Sequence, residues 1–572
     1  MWRLAMGLLA AAGGLVCAQP VVQLHVRIPM RDGVRLCTNV FRPALQGRYP
    51  AVLHRTPYRK ASQISAGLRM FLDRGYAVVT QDVRGRYDSE GEFRQVLQEE
   101  QDAADTIAWI TRQAWSDGKV AMFGGSYVGI VQWRAALSGH PALKAIAPAV
   151  SGGDEYFDRY YSRGGAFRLA HRLRWIAENF KPPNRPVADF QKMITFLPIG
   201  RADRLVAGRT LDFFQEAMAH PSYDAYWRAR STLLRADRVR AAALIEAGWY
   251  DPFLLSDIAM WKALRARGHP ARLVIGPWGH NLNPDMPEAD FGPSAALPLR
   301  RMEIDWFDAW LRQSAPPAPS AVLYFLMGAN EWRETPVWPP EDAEPQEFFL
   351  DSGGQANSLH GDGRLLEKAP AEAAADRFDY DPRNAVPTRG GATCCNFRLT
   401  PWGPLDQRPV EGRPDVLVYT SETLREPLEV TGPVRAVLHV SSSAPDTDFT
   451  AKLVDVAPDG RARILADGLT RLRYREGVER AVIYRPGTVV DVEVDLGATA
   501  FLFARGHAVR LEVSSSNFPR FDRNLNTGRL QARETQMRVA RQTVHHGPER
   551  PSRLLLPVIR RAPKPGGGRL LP

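Results

Sequence analysis

The sequence predicts an α/β protein whose core is a doubly wound parallel sheet, followed by a large all-β region. Short apolar runs alternate with helix-like segments from residue 49 to about 150, and the alternation resumes from 243 to 312. The segment between them is rich in aromatic residues and arginine and has helical periodicity, which predicts an inserted cap. Beyond residue 337, short alternating strands are separated by glycine, proline and aspartate turns, a pattern typical of a sandwich or jelly roll.

The length of 572 residues is too great for a single hydrophobic core, so several domains are expected. The changes of pattern along the chain give their boundaries. We predict a signal peptide at 1–18, an α/β core at 19–150 and 240–336, a helical cap at 151–239, a jelly-roll β domain at 337–561 and a flexible tail at 562–572.

The first residues have the layout of an export signal. Arg3 gives a short basic start, and the apolar stretch 4–16 is too short to span a bilayer comfortably. Small residues around Cys17 and Ala18 provide a cleavage site, so we expect the mature chain to begin near Gln19. The sequence therefore predicts a secreted or periplasmic protein, and lipidation at Cys17 stays open as an alternative.

Net charge is +11, and the excess comes mostly from arginine spread along the chain. Because no basic run concentrates this charge, it is typical of a solvated surface and does not favour nucleic-acid binding. After the first apolar stretch, none is long enough to span a bilayer. We expect a small-molecule substrate, no nucleic-acid partner and no stable membrane span, and the oligomeric state stays open.

Removal of the signal would leave three cysteines, Cys37, Cys394 and Cys395. An odd number permits a disulfide from Cys37 to either of the others, or a bond between the adjacent pair, and the sequence does not choose among these. The chain has no C-x-x-C and no H-x-x-x-H pattern. A zinc site is therefore not expected, and the chemistry described below needs no metal or organic cofactor.

The stretch from Val120 to Gly129 has the layout of a nucleophile elbow. An apolar run leads into Ser126, glycines stand at positions 124, 125 and 129, and a helix-like segment follows. The glycines permit the close backbone approach of a strained strand-to-helix turn, and the helix directs free N–H groups at the serine. The common pattern G-x-S-x-G is not met, because the last glycine comes one position late, so the motif alone also fits an ordinary turn.

Two further residues complete the chemistry that acyl transfer needs, a base that takes the serine proton and a carboxylate that orients the base. Asp251 directly follows the apolar strand 244–250, and His280 follows the strand 271–276. Serine, acid and histidine thus come in the order expected of a hydrolase built on a doubly wound sheet. Each residue alone is equally well explained by a turn or an exposed surface, but the ordered set predicts a catalytic triad of Ser126, Asp251 and His280.

A tetrahedral intermediate also needs hydrogen-bond donors for its oxyanion. The backbone N–H of Tyr127, directly after the nucleophile, is the usual donor at an elbow. No His-Gly-Gly-Gly run supplies a second donor, but the phenol of Tyr58 lies just past the strand that ends near Thr56. We therefore predict an oxyanion hole made by Tyr58 and Tyr127.

Several short segments, taken in order, resemble the CocE/NonD family of serine hydrolases, which is related to the X-Pro dipeptidyl-peptidases. They are Thr56-Pro57-Tyr58, Asp82-Val83-Arg84-Gly85, Gly124-Gly125-Ser126-Tyr127, Gly248-Trp249-Tyr250-Asp251 and Gly276-Pro277-Trp278-Gly279-His280, with Asp446–Phe449 and Ser515–Pro519 in the β region. The resemblance implies an α/β-hydrolase core, a helical cap and a C-terminal jelly roll. It also implies the triad and the oxyanion hole at the positions named above. We interpret the segment from Asp82 to Arg84 as structural, an Asp–Arg pair that braces the loop beside the site.

The substrate is less closely defined, because the family includes esterases, acylases and peptidases. In its amino-ester branch, acidic residues follow the triad aspartate by two and three positions, whereas here those positions are Phe253 and Leu254. This difference predicts an apolar or aromatic acyl pocket at Phe253. The cap aromatics Tyr156 and Trp175 are further candidates for its lining. Two acidic residues that open the cap, at positions 154 and 155, are interpreted either as a partial carboxylate cluster or as a charge pair at a helix N-terminus.

The sequence therefore predicts a serine hydrolase that cleaves carboxylic esters through an acyl-enzyme. An acylase or an X-Pro dipeptidyl-peptidase type of amide hydrolase is the alternative within enzymes. A protein that binds carbohydrate or a cell surface through its β region, with an idle hydrolase part, is the alternative outside them.

Overall fold

The structure is a computed structural model that describes residues 19–314 and 318–560. The predicted signal peptide at 1–18 and the predicted tail at 562–572 lie outside the described residues. Within them the chain forms two large sheets, one in the first 335 residues and one after residue 342.

The first sheet contains seven neighbouring strands that run parallel, extended at both edges by antiparallel strands. Its spatial order is β1-β2-β4-β3-β5-β6-β7-β8-β9-β10. The strands are β1 (Val21–Pro29), β2 (Arg35–Arg42), β3 (Tyr49–Thr56), β4 (Ala77–Asp82), β5 (Ser116–Gly125), β6 (Leu143–Ala149), β7 (Ala242–Gly248), β8 (Ala271–Gly276), β9 (Val322–Leu326) and β10 (Glu331–Thr335).

Helices lie on both faces of this sheet, as its parallel strands require. Leu53 and Met122 face one buried apolar cluster, while their chain neighbours Val52 and Ala121 face a second one on the opposite side. The α-helices are α1 (Ala66–Asp73), α2 (Glu99–Thr111), α3 (Tyr127–Leu137), α4 (Leu169–Phe180), α5 (Phe190–Thr195), α6 (Ala202–Ala207), α7 (Asp212–Ala219), α8 (Ala225–Arg230), α9 (Leu254–Arg265), α10 (Leu299–Phe307) and α11 (Arg408–Glu411).

The segment between β6 and β7 forms the helical cap that the periodicity predicts. It contains α4 to α8, and it begins with a π-helical turn at Tyr156–Tyr160. Short 3₁₀ turns at Ile199–Arg201 and Leu233–Arg238 complete it. In the described ranges, no helix of the cap or of any other part is both long and apolar enough to cross a bilayer.

The C-terminal region is all-β, as predicted, and antiparallel except where β12 and β14 pair. Its strands are β11 (Ala343–Asp351), β12 (Arg364–Leu366), β13 (Ala374–Tyr380), β14 (Leu417–Ser421), β15 (Leu428–Ser442), β16 (Asp448–Val456), β17 (Ala462–Arg471), β18 (Val490–Phe503), β19 (Ala508–Ser514), β20 (Ala540–His546) and β21 (Arg553–Ile559).

This β region packs directly on the cap. The backbone N–H of Arg471 donates to the carbonyl of Gly164 at 2.9 Å, and that of Ala170 donates to Pro519 at 3.0 Å. The side chain of Asp522 accepts from the N–H of Phe167 at 2.7 Å. The cap is therefore held between the two sheets, and residues of the β region come close to the edge of the first sheet.

Candidate active site

Ser126 stands in the turn between β5 and α3. Its backbone has φ 58° and ψ −128°, a left-handed conformation that residues with a side chain rarely adopt. The N–H of Ser126 donates to the carbonyl of Ala149 at the end of β6, and its own carbonyl accepts from Ile130 in the first turn of the helix. The serine is thus held at a strained strand-to-helix corner, which is the geometry of a nucleophile elbow.

The glycines around Ser126 allow the strand and the helix to approach closely. A Cβ atom on Gly124 would lie 2.6 Å from the side chain of Val128, and one on Gly129 would lie 2.5 Å from Ser151. Gly124 also has φ +119°, which a residue with a side chain avoids. The late glycine at 129 therefore has a packing reason of its own.

Asp251 and His280 are hydrogen-bonded to each other. The Asp251 Oδ2 atom lies 2.6 Å from Nδ1 of His280. The other carboxylate oxygen accepts from the N–H of Phe253 at 2.9 Å, so both oxygens of this buried side chain have partners. This contact fixes the imidazole ring and leaves Nε2 as the nitrogen that exchanges a proton with a nucleophile.

The loops that carry the pair are interlocked. Gly248 and Gly276 face each other across β7 and β8, and Trp278 fills the space between the two loops. A Cβ atom on Gly248 would lie 2.3 Å from the carbonyl oxygen of Trp278, and one on Gly276 would lie 2.1 Å from its indole ring. The same carbonyl accepts from the N–H of Tyr250 at 2.9 Å. This packing sets the position of Asp251 relative to His280.

All three triad candidates lie at one edge of the first sheet. The strands β5, β6, β7 and β8 are neighbours and parallel, with Gly125 paired to Ala149 and Ala149 paired to Glu246. Parallel strands end at a common edge, so the residues that follow β5, β7 and β8 are brought together there. The structure thus brings Ser126, Asp251 and His280 to the same side of the sheet.

The two predicted oxyanion donors lie at this edge as well. Tyr58 follows β3, and Tyr127 is the first residue of α3. The ring of Tyr127 is buried, and its hydroxyl accepts from the N–H of Val96 at 3.2 Å and donates to Glu99 at 3.4 Å. Its phenol is therefore engaged inside the core, and the part of Tyr127 available to a substrate is its backbone N–H.

Trp175, on α4 of the cap, contacts both oxyanion candidates. Its indole Nε1–H donates to the Tyr58 hydroxyl at 3.0 Å, and its ring stacks on that of Tyr127 at a centroid distance of 6.2 Å and an angle of 8°. Because the Tyr58 oxygen accepts from the indole, its own proton is free to be donated elsewhere, and such chained hydrogen bonds reinforce each other. The cap therefore orients the phenol of Tyr58.

The loop that carries Tyr58 is clamped from two sides. Lys60 donates to the buried Asp82 carboxylate from its backbone N–H at 2.7 Å and from its ammonium at 2.9 Å. Arg86 donates to the carbonyl of Pro57 at 3.1 Å and reaches the end of α4. These contacts fix both sides of Tyr58, although no sequence motif pointed to Lys60 or Arg86.

The interpretation of Asp82 and Arg84 as a mutual ion pair is wrong. Asp82 binds Lys60, whereas Arg84 pairs with Asp102 at 2.6 Å and with Asp32 at 2.7 Å. Both side chains do brace the loops beside the site, but they point to different partners. Because the two side chains point in different directions, they do not pair with each other.

Of the three predicted pocket residues, the structure brings two to the catalytic edge. The ring of Phe253 is 1% exposed and lies 5.3 Å, centroid to centroid, from that of His280. Trp175 reaches the same edge through Tyr58, as described above. Tyr156 is instead packed among aromatic residues of the cap, and its hydroxyl donates to the carbonyl of Pro221 at 2.9 Å. The structure does not bring Tyr156 to the triad, because both its ring and its polar tip are taken up by the cap.

Two buried arginines lie near this edge. Arg168 is buried beside Asp251, and burial lowers the pKa of its guanidinium to about 10. Arg172 is fully buried, with its guanidinium carbon 4.4 Å from the centroid of the Trp175 ring. The two acidic residues at the start of the cap already have partners: Glu155 pairs with Arg159, and Asp154 accepts from a tyrosine hydroxyl.

A cavity of about 520 Å³ lies between the 85–97 loop and the cap, away from the triad. It is lined by charged side chains such as Arg94 and Glu216, and neither Ser126, Asp251 nor His280 contributes to it. A smaller cavity of about 70 Å³ includes Asp251 and residues of the β region. The triad candidates therefore lie outside the larger cavity, and Asp251 borders the smaller one.

Comparison with protein families gives two matches that follow the chain in order. Residues 32–281 match the X-Pro dipeptidyl-peptidase (S15 family) model. Residues 316–555 match the X-Pro dipeptidyl-peptidase C-terminal non-catalytic domain. The first match ends one residue after His280, so it contains all three triad candidates.

A relative named cocaine esterase, from Rhodococcus sp. (strain MB1 Bresler), is 41% identical to this chain, over 94% of this chain and 99% of the relative. The chain belongs to the CocE/NonD family of serine hydrolases. The predictions of an α/β-hydrolase-type core with a C-terminal all-β domain, and of a serine enzyme that hydrolyses esters, are thereby confirmed.

Solved structures of similar proteins show how widely chemistry varies on this CocE/NonD architecture. An aminopeptidase from the marine sediment archaeon Thaumarchaeota archaeon is 29% identical, with a TM-score of 0.82 over 95% of this chain and 97% of that one. An α-amino acid ester hydrolase is 27% identical, also with a TM-score of 0.82, over 97% of this chain and 98% of that one. The names of these two proteins describe a peptidase and an ester hydrolase.

The β region of this CocE/NonD hydrolase also contributes to the catalytic edge. Trp402 packs against the residue before His280, because a Cβ atom on Gly279 would lie 2.2 Å from its indole ring. The same loop carries a disulfide between Cys394 and Cys395, while Cys37 is free and buried in the core. Of the cysteine pairings left open by the sequence, the structure contains the bond between neighbours.

Proposed function

We propose that this CocE/NonD hydrolase cleaves carboxylic esters with an apolar, preferably aromatic, acyl group, using Ser126, His280 and Asp251 as its triad. The observation that carries the proposal is the contact between the buried ring of Phe253 and the ring of His280, 5.3 Å apart. An acyl group attached to Ser126 must pass beside His280, so an aromatic side chain at that point favours an apolar acyl group over a charged one.

In the first step, His280 accepts the proton of the Ser126 hydroxyl as the oxygen attacks the ester carbonyl. Asp251, at 2.6 Å from Nδ1, holds the imidazole in the tautomer that leaves Nε2 free and stabilises the imidazolium that forms. The new oxyanion accepts hydrogen bonds from the phenol of Tyr58 and the N–H of Tyr127. One such preorganised donor is worth about 3–4 kcal/mol of barrier.

The protonated His280 then gives its proton to the leaving alcohol, and the acyl group stays on Ser126. Water attacks this acyl-enzyme in the second step, with His280 again as the base, and the carboxylic acid is released. Trp175 supports both steps, because it keeps the Tyr58 proton directed away from the cap.

The charges described above argue against a substrate with a free ammonium group. Binding such a group requires unpaired carboxylates, yet Glu155 is held by Arg159 and Asp154 by Tyr223. The buried guanidinium groups of Arg168 and Arg172 would repel an ammonium instead. Dipeptidyl-peptidase activity, which needs that group, is therefore the second candidate, favoured only by the family match and by the aminopeptidase of similar structure.

We also infer export of the mature enzyme, on the basis of the basic start and short apolar stretch of the first 18 residues. A disulfide at Cys394–Cys395 supports this inference, because such bonds persist in oxidising compartments. Amino-terminal sequencing of protein recovered from the periplasm or medium of an expressing culture tests it. Retention in the cytoplasm with residue 1 intact would contradict it.

The test of function is a series of p-nitrophenyl esters, acetate, butyrate and benzoate, with an alanyl-proline p-nitroanilide as the amide counterpart. Wild type, Ser126→Ala and Phe253→Ala are compared in kcat and KM. We expect wild type to turn over the esters and Ser126→Ala to lose about 10⁶-fold in kcat, as the loss of a triad nucleophile does.

Phe253→Ala separates the pocket from the triad. It is expected to lose most on benzoate and least on acetate, because only the larger acyl group fills the space that the ring shapes. Equal losses on all three esters would contradict the acyl pocket while leaving the triad intact. Faster hydrolysis of the anilide than of the esters would instead support the peptidase alternative.

A further inference from the structure

Three potential metal ligands meet beside the catalytic edge, although they are far apart in sequence. The ligand atoms of His171, Cys394 and Cys395 all lie within 4.8 Å of one another. His171 is on α4 of the cap, and the cysteines are in the loop of the β region that packs against Gly279. The ring of His171 also lies 5.7 Å from that of Phe253, which places the cluster next to the acyl pocket proposed above.

The imidazole of His171 is suited to act as a ligand. Its Nδ1 atom is buried and has no hydrogen-bond partner within residues 19–314 and 318–560. A neutral imidazole with a free lone pair is what a metal ion requires, and a buried nitrogen without a partner is otherwise costly.

The two sulfur atoms are joined in the structure, and in that form they are poor ligands. Thiolates, by contrast, are strong ligands for Zn²⁺ and related ions. Zn–S and Zn–N bonds of about 2.3 and 2.0 Å in a tetrahedral site separate neighbouring ligand atoms by about 3.5–3.8 Å. All three ligand atoms already lie within 4.8 Å of one another, and the two sulfur atoms, which are bonded to each other, must move apart after reduction to reach the separation of a tetrahedral site.

We propose that reduction of the Cys394–Cys395 disulfide creates a site for a thiophilic divalent cation such as Zn²⁺, bound by both thiolates and by His171. Water occupies the fourth position of the tetrahedron. The site is absent in the oxidised enzyme and present in the reduced enzyme, so the disulfide acts as its switch.

The chemistry needs a two-electron reductant, which is a dithiol in a cell and a tertiary phosphine in the experiment below. A dithiol attacks the S–S bond and is oxidised to a cyclic disulfide. The protein disulfide is reduced in the exchange, and two thiols remain on the protein. The phosphine is oxidised to its oxide with oxygen from water, and again two thiols remain. Binding of Zn²⁺ then releases both thiol protons, and the resulting complex of one dication, two thiolates and a neutral imidazole carries no net charge.

Charge neutrality matters at this position, because Arg168 and Arg172 lie nearby and would repel a cationic complex. A metal held by a single histidine or a single cysteine would remain positive, whereas two adjacent thiolates offset both charges of the ion. The cluster therefore selects for ions that bind sulfur strongly over Mg²⁺ or Ca²⁺, which prefer oxygen ligands.

A second group of possible ligands, His25, Cys37 and Asp88, serves as the internal comparison. Asp88 is already bound by Lys60, and Cys37 is buried with a single thiol. This group does not depend on the disulfide, so metal bound there would appear equally in the oxidised and reduced protein.

The experiment measures binding of Zn²⁺ by isothermal titration and of Co²⁺ by absorption, using the full chain before and after phosphine treatment. We expect reduced wild type to bind one equivalent and to show thiolate-to-cobalt charge-transfer bands with the visible spectrum of tetrahedral Co²⁺. Oxidised wild type should show neither. The joint substitution Cys394→Ser and Cys395→Ser should abolish the bands, and Cys37→Ser should preserve them.

His171→Asn tests the third ligand. We expect the affinity for Zn²⁺ to fall by about 10–100-fold or more, because a change of that size follows even the loss of a residue that only hydrogen-bonds to a metal ligand. Thermal unfolding curves of each variant check that it is folded, and the comparison of oxidised with reduced wild type needs no substitution. Equal binding in both redox states, or loss of binding in Cys37→Ser, would overturn the proposal. So would full affinity in His171→Asn.

A functional consequence rests on the proposed ester-hydrolase site. Because His171 contacts Phe253, an ion there narrows the space for the acyl group, so Zn²⁺ should inhibit the reduced enzyme on p-nitrophenyl benzoate, and a chelator should restore it. The titration measures metal binding without any substrate. A failure of the metal site is therefore distinguished from a failure of the acyl pocket, which only the ester assay detects.

Discussion

The edge of the first sheet and the cap that covers it are both buried and both aromatic, yet they differ in how their residues become functional. At the sheet edge, position follows from topology, because the residues after β5, β7 and β8 must meet where parallel strands end. In the cap, no such rule applies. Trp175 and Tyr156 are both buried aromatic residues of the cap, and only Trp175 is bound to the catalytic edge.

The two residues differ in the hydrogen bond that the polar group of each ring makes. The indole N–H of Trp175 donates to the hydroxyl of Tyr58, across the boundary between cap and core. The hydroxyl of Tyr156 donates to the backbone of Pro221 and so closes an interaction inside the cap. Trp175 thus reaches the site because its hydrogen bond leaves the cap, whereas that of Tyr156 stays inside it, and the substitutions below test this comparison from the largest effect to the smallest.

Asp251→Asn should have the largest effect, a loss of about 10⁴-fold in kcat for p-nitrophenyl butyrate. The amide can present its NH₂ group to Nδ1 of His280, which favours the tautomer that is unable to accept the serine proton. Stopped-flow measurement of acyl-enzyme formation should show the loss in the first step.

Asp257→Asn is the matched control for this substitution. Asp257 is also a buried carboxyl beside the site, but it accepts from the N–H of Gly152 at 2.8 Å and makes no hydrogen bond to His280. Burial raises its pKa well above the ordinary value, which favours the neutral carboxyl that an amide resembles. A comparable loss in both variants would show that burial of a carboxyl, and not its contact with His280, governs the rate.

Tyr58→Phe should lower kcat by about 10²–10³-fold and leave KM nearly unchanged, because an oxyanion donor acts in the transition state and not in the bound ester. Tyr87→Phe is the control, since its ring lies in the neighbouring loop under Arg59 and Arg86. A rise in KM with unchanged kcat would mean that Tyr58 only binds the substrate.

The placement of the triad candidates was predictable from the sequence because these residues lie directly after strand ends. Ser126, Asp251 and His280 each follow an apolar run within a few residues, and their order along the chain matches their role. The alternation of strands and helices fixed the sheet that brings them together. Both patterns can be recognised from residues that are close to one another in the sequence.

Contacts between layers were not predictable in this way. Tyr58 and Trp175 are 117 residues apart, and His171 is still further from the two cysteines, with no spacing that marks a metal site. The predicted pair of Asp82 with Arg84 failed for the same reason, since the actual partners of Arg84, Asp32 and Asp102, come from another strand connection and a helix. These contacts depend on how cap, core and β region pack, which a local pattern does not specify.

Trp175→Phe should lower kcat by about two- to tenfold, the equivalent of one hydrogen bond of about 0.5–1.5 kcal/mol. The phenylalanine keeps an aromatic ring against Tyr127 but no longer directs the Tyr58 hydroxyl. Trp175 is a positioning residue in this account, so its effect should vanish when Tyr58→Phe is already present. Additive losses in the double variant would contradict this, because independent residues add and coupled ones do not.

Tyr156→Phe should have the smallest effect on catalysis, with kcat and KM unchanged on acetate, butyrate and benzoate. It should instead lower the stability of the protein by about 1 kcal/mol, since the partly buried carbonyl of Pro221 loses its donor while the ring still fills its place among the aromatic residues of the cap. Thermal unfolding and the ester series, measured on the same preparation, separate the two effects. A shift in acyl preference would show that Tyr156 does reach the substrate, as the sequence suggested. A fall in stability with an unchanged acyl preference would instead mean that the acyl pocket does not extend from Trp175 into the interior of the cap, where Tyr156 lies.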